Sequence, residues 1–234
     1  YFARQIINYK YIAAKYPQYF SKELKPFLSE PWFPKPERND DWISEVRKDL
    51  PDDFEYKRET GENDGYVSQI IREDLVKEFD IYVNQTNYPL KSKIIQSNYE
   101  TNGFLLKKLP SSEGVSLIEY AAFFGSIQIF QYLRLKGVDL TPSLWLFAIH
   151  SNNPDLIRLL EENHVECHKL AAFKEAVKCH HNGVAEYFLE NYLNGESGDP
   201  REKLVFCLKN HSFKFIEAEK VCKDFFYELC RYDY

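Results

Sequence analysis

A chain of 234 residues, 44% hydrophobic, 28% charged and 16% aromatic, has enough apolar material to bury a sizeable core and too much to remain disordered. A net charge of -6 and a pI near 5.6 exclude a nucleic-acid backbone as the principal partner, since counterion-release binding needs a basic face and no dense Lys/Arg run occurs. The longest apolar run, Leu144 to Ile149, is too short to cross a bilayer.

The first sixty residues form a section of their own. "YFARQIINYKYIAAKYPQYF" has a helical pattern heavy in aromatics, and "EPWFPKPERNDDW" then packs prolines and tryptophans together as an extended connector. Residues 1–60 are therefore expected to form an irregular helical cap. A start at Tyr1 and the complete absence of Met are what a fragment would show.

"GENDG", Gly61 to Gly65, lacks the alternating oxygen ligands and distal glutamate of a calcium loop and is expected to be a turn feeding a helix near Tyr66. "IREDLVKEFDIYVNQ" follows as a weak copy of a two-helix unit centred on Ile71. A longer stretch from about Asn87 to Glu113 separates it from the better copies.

The clearest unit begins at Ser116. With Glu119 it forms a capping box, and the helix it starts stops at Gly125. Ser126 caps a second helix, which Gly137 ends. Thr141–Pro142 opens the next unit as an N-cap with proline at the first helical position, and Asn153–Pro154 opens its second helix. The copies register on Ala121, Ala148, Ala176 and Cys207, spaced 27, 28 and 31 residues apart. One unit buries too few apolar side chains to offset the backbone entropy of ordering itself, so neighbours must cover each other's faces. The repeat array is expected over 61–234, with units at about 61–90, 114–140, 141–167, 168–195 and 200–234.

The two-helix period, the small residue in the first helix and the Gly/Asn–Ser/His turn resemble ankyrin repeats. "LTPSLWLFAIH" resembles a stretched Thr-Pro-Leu-His-x-Ala signature, with Ser143 inserted after the proline and no histidine in the expected place. His181 falls where the ankyrin pattern carries the histidine of its Gly-His turn. Together, "SLIEYAAFFGSIQIFQYL", "LTPSLWLFAIHSNNPDLIRLLEEN" and "KEAVKCHHNGVAEY" are similar to the divergent ankyrin-type proteins expanded in trichomonad protists. The likeness spans about residues 60–220. Its period falls short of the usual ~33 residues, and the Asp-x-x-Gly hairpin signature is missing. The resemblance implies an all-α, ankyrin-like solenoid with an irregular helical N-terminal cap and a protein–protein recognition surface.

Five cysteines, Cys167, Cys179, Cys207, Cys222 and Cys230, all lie in the last third and match no disulfide framework, which fits a reducing, cytoplasmic setting. Cys179–His180–His181, with Cys167–His168 upstream, is the densest set of soft ligands. Adjacent helical residues point about 100° apart, and the spacing is neither Cys-x2-Cys nor His-x3-His. His181 is also needed to cap the inter-helix turn. The sequence therefore assigns these residues structural roles, with no metal, no cofactor and no catalytic residue. A zinc-dependent or Cys/His hydrolytic enzyme centred on Cys179 and His180 is the alternative. The acids Glu161 and Glu162 are expected on solvated helix surface.

In ankyrin repeats the two residues after the paired small positions lie toward the concave, partner-facing side. The resemblance places Phe123, Phe124, His150, Ser151, Lys178, Cys179, Lys209 and Asn210 there. Paired phenylalanines beside lysines and a histidine make a mixed apolar–basic groove, and aromatic anchors favour interfaces. The expected molecule is a monomeric, non-enzymatic scaffold with a protein partner, binding neither nucleic acid nor membrane.

Overall fold

The computed structural model of the chain describes residues 52–95, 97, 99–108, 114–193 and 200–215. Among these it contains eleven α-helices, one short 3-10 helix and no β-strand, so the all-α expectation holds. An isolated antiparallel bridge joins Lys93 and Ser116. Most of the aromatic, proline-rich cap, the end of the last unit, Cys222 and Cys230 lie outside the described residues. None of the described helices is long and apolar enough to cross a membrane. The chain divides into two compact units, Tyr1–Glu62 with Ser97–Asn102, and Asn63–Gln96 with Gly103–Tyr234.

In the first unit, α1 (Phe54–Thr60) ends at Gly61 in the left-handed region, φ 67°. The Gly61 carbonyl accepts both the backbone N–H and the hydroxyl of Thr101, each at 2.9 Å. A Cβ on Gly61 would sit 2.6 Å from the Thr101 Oγ1, so both space and φ require glycine here.

The second unit holds the helix pairs. They are α2 (Tyr66–Arg72) with α3 (Val76–Thr86), α5 (Leu117–Phe124) with α6 (Ile127–Leu135), α7 (Leu144–Ser151) with α8 (Pro154–Glu162), and α9 (Lys169–Lys178) with α10 (Asn182–Asn191). A six-residue helix, α4 (Gly103–Lys108), lies in the stretch between the first two pairs, and α11 (Pro200–Lys209) follows the last. The first helices α2, α5, α7 and α9 pack side by side in that order, and each also packs on its own second helix. Ala121, Ala122, Ala148, Ala172 and Ala176 are fully buried along this row, where a small side chain lets helix axes approach closely.

The turn from first to second helix passes through a left-handed residue in every copy among the described residues. Asp74, Gly125, Asn152, His180 and His211 all adopt φ between 51° and 74°. In four of them the next amide then bonds back five residues: Leu75 to Ile70, Ser126 to Ala121, His181 to Ala176 and Ser212 to Cys207, at 2.9–3.1 Å. This register centres the upstream copy on Ile70 rather than Ile71. The Asn153 amide departs from the pattern and bonds Ser151 Oγ, which itself donates to the Ala148 carbonyl at 2.7 Å.

Two start signals are corrected. The Ser116/Glu119 capping box forms as expected, and Asn153 accepts the Asp155 amide with Pro154 at the helix start. Thr141–Pro142, however, does not start a helix. Leu144, Trp145 and Leu146 bond three residues back, and the α-helix begins only at Leu144. Ser143 is held instead to Glu119 Oε1 at 2.7 Å, tying this turn to the preceding capping box. Ser126 occupies the N-cap position of α6 without capping it; its buried hydroxyl donates across to the Ile71 carbonyl.

Candidate functional site

The repeat register brings together three side chains that sequence spacing keeps apart. Glu175 and Cys179 are four residues apart, at the end of α9, and share one face. His150, in the last turn of α7, faces them from the neighbouring pair. Its Nε2 lies 3.0 Å from Glu175 Oε1, and Cys179 Sγ lies 3.5 Å from its Nδ1 and 3.7 Å from its Nε2. All three offer a ligand atom within 4.8 Å of the others. The His150 and Glu175 side chains are only 18% and 13% exposed.

The walls of this site fix its imidazole. Phe104, from α4, lies against His150 with ring centroids 4.1 Å apart, and Phe123 stacks on it at 5.1 Å. Phe104 and Phe123 are themselves stacked at 5.8 Å. On the solvent side, Lys178 Nζ donates to Glu175 Oε2 at 2.8 Å. From the next turn, His181 Nε2 lies 3.3 Å from the His150 carbonyl, so His181 links neighbouring pairs and makes no cap bond within its own turn.

The electrostatics are those of an ionised acid beside a resting thiol. Hydrogen bonds from His150 and then Lys178 outweigh burial and hold the Glu175 carboxyl down to about 2. Burial first, and Glu175 second, push the Cys179 thiol up to about 11. Near-equal distances from Sγ to the two ring nitrogens mean that the sulfur lies off the in-plane direction of each nitrogen, whichever carries the proton.

His180 and Cys167–His168 stand apart from this cluster. His180 is exposed in its left-handed turn, and Cys167 and His168 precede α9 at its other end. The Cys179–His180 centre that adjacency suggests is thus replaced by Cys179 with His150, 29 residues earlier. Sequence reasoning missed Glu175 and Phe104. Glu175 had a signal: it occupies the repeat position held by Tyr120, Phe147 and Phe206 in three other copies and by Gln69 in the upstream one, an acid where most copies carry an aromatic.

The other residues assigned to the concave face separate by exposure. Phe123 is buried, 9% exposed, against Phe104 and His150. Phe124 is half-buried between Tyr120 and the Arg72 guanidinium. Ser151 is turned inward to its own helix, and Asn210 Nδ2 donates to the Phe206 carbonyl. Lys178 and Lys209 are exposed.

A second polar cluster corrects the surface reading of Glu161. It accepts hydrogen bonds from the hydroxyls of Tyr187 and Tyr192, while Glu162, 59% exposed, meets the Arg158 guanidinium at 3.6 Å.

No protein-family model matches the chain, and no curated protein or solved structure matches it.

Proposed function

We propose that this chain is an ankyrin-like solenoid acting as a non-enzymatic scaffold, a cytoplasmic monomer that binds a protein partner across the ends of its first helices. The observation that carries this reading is the row α2, α5, α7, α9, in which each helix passes through a left-handed residue into a second helix of its own. Such a ladder exposes one end of every first helix in register, and repeat arrays use surfaces of this kind for recognition. Phe104 covers Phe123 and His150, so the exposed recognition charges are Lys178 and Lys209, and Phe124 and Asn210 are half-buried members of the same set.

Affinity capture from the source organism's lysate tests the reading, run beside a Lys178→Glu/Lys209→Glu variant with unchanged circular dichroism and melting. A protein held by the native chain and lost by the folded variant supports it. If both chains hold the same proteins, or neither holds any, the reading fails.

A further inference from the structure

We infer that His150, Glu175 and Cys179 bind a single zinc-class divalent cation, through three protein ligands and an open fourth position. The separations suit such an ion. Tetrahedral zinc with bonds of about 2.0–2.3 Å holds its nitrogen, oxygen and sulfur ligands roughly 3.3–3.6 Å apart. Here nitrogen and oxygen stand 3.0 Å apart and sulfur and nitrogen 3.5–3.7 Å apart, and all three ligand atoms lie within 4.8 Å of one another, so small side-chain shifts bring them onto one ion. A thiolate in the set disfavours magnesium and calcium, which take oxygen ligands, while a mixed sulfur, nitrogen and oxygen set is typical of zinc.

Two features go beyond what packing requires. Glu175 replaces an aromatic of the repeat pattern and is largely buried there, so the core gains nothing from it. The cluster is also braced from outside: Lys178 holds the second carboxylate oxygen, and Phe104 and Phe123 fix the imidazole plane. Outer partners of this kind orient ligands before an ion arrives. The His150–Glu175 hydrogen bond satisfies those two residues, while Cys179 Sγ makes off-axis contacts of 3.5 and 3.7 Å with the ring nitrogens; a cation bridging all three turns those contacts into a bond. On binding, the thiol gives its proton to solvent and the sulfur takes the metal bond.

The test uses the whole chain, reduced and stripped by chelator. Zinc is titrated by calorimetry, and cobalt(II) serves as the spectroscopic probe. One ion per chain is expected, with the near-ultraviolet thiolate-to-cobalt band and the visible bands of four-coordinate cobalt. Cys179→Ser should abolish the thiolate band, and His150→Gln should abolish stoichiometric binding. Lys178→Met should weaken zinc by about tenfold through loss of the outer contact. Cys167→Ser and His168→Gln should bind as the native chain does. The proposal is overturned if the native chain takes up no stoichiometric ion, or if cobalt shows no thiolate band. Unchanged binding by Cys179→Ser and His150→Gln, or a loss that follows Cys167 instead, also overturns it. Should a variant unfold, the native cobalt spectrum still decides.

Discussion

The carboxylate of Asp74, in the turn between α2 and α3, accepts the backbone N–H of Ile129 at 2.9 Å and that of Gln128 at 3.1 Å. These are orphan donors in the first turn of α6, which an N-cap residue normally satisfies from within its own chain segment. Here the preceding pair supplies the cap, and a negative charge meets the positive end of the helix. Asp74 also holds φ at 52°. Asp74→Ala should therefore cost about 1–2 kcal/mol through the lost cap, with a further penalty because alanine lacks the short polar side chain that lets aspartate tolerate the left-handed region. Asp74→Gly loses the cap but relieves the turn, so it should fall between Ala and the native chain. Urea denaturation of the three proteins checks the order; Ala and Gly variants as stable as native would refute the cross-pair cap.

Ser126 and Ser212 occupy the same repeat position and are both buried, yet only one of them is bonded. Ser126 Oγ donates to the Ile71 carbonyl, while Ser212 Oγ has no partner among the described residues. Removing a buried hydroxyl that satisfies a carbonyl costs about 1–2 kcal/mol, whereas removing one already unsatisfied costs little and can stabilise. Ser126→Ala should lower the melting temperature, and Ser212→Ala should leave it unchanged or raise it. Equal losses for the two would show that the position matters for packing rather than for the hydrogen bond.

How much of this was legible follows from where the signals reside. The capping box at Ser116, the stops at Gly125 and Gly137 and the alanine register are local and chemically specific, so they appear in a single sequence. Asp74, His180 and His211 in the left-handed region were hard to read, because the preference of Asp and His for that region is weak beside glycine's and marks no stop by itself. Phe104 was hidden because its helix is six residues long, too short to show a period, in a stretch with no repeat. The His150–Glu175–Cys179 cluster was half visible. Its residues share no sequence motif and meet only once α7 packs on α9.

The left-handed positions carry their own prediction. His180, at φ 57°, is exposed, so glycine there gives up few contacts and relieves backbone strain. His180→Gly should raise stability by roughly 0.5–1 kcal/mol. Gly125→Ala runs the other way: its φ is 74°, and the new Cβ would stand 3.4 Å from that of Ser151 in the neighbouring pair. A loss of about 1–2 kcal/mol is expected. Thermal melts of the two variants should move in opposite directions, and movement in the same direction would rule out backbone strain as their cause.

Tyr132 yields a prediction in pH. Its hydroxyl donates to Asp80 Oδ1 at 2.8 Å, and its ring meets Phe79 edge-on with centroids 5.6 Å apart. Burial first, and Asp80 second, push the phenol up to about 12, so the folded state favours the neutral form. An unfolded tyrosine ionises near 10, hence the contribution of this hydroxyl is fully present below about pH 10. It is lost as pH rises through about 12. Tyr132→Phe keeps the ring contact and removes the hydrogen bond, which should cost about 0.5–1 kcal/mol at neutral pH. The stability gap between native and variant should then shrink above pH 10. Tyr187, raised first by the Glu161 hydrogen bond, and Tyr192, raised first by burial and then by Glu161, titrate alkaline as well, so the difference between the two proteins is the quantity to follow. Paired urea titrations from pH 7 to the alkaline limit of reversible folding measure it; a gap that stays constant across that range would show that Tyr132 ionises no differently in the folded chain.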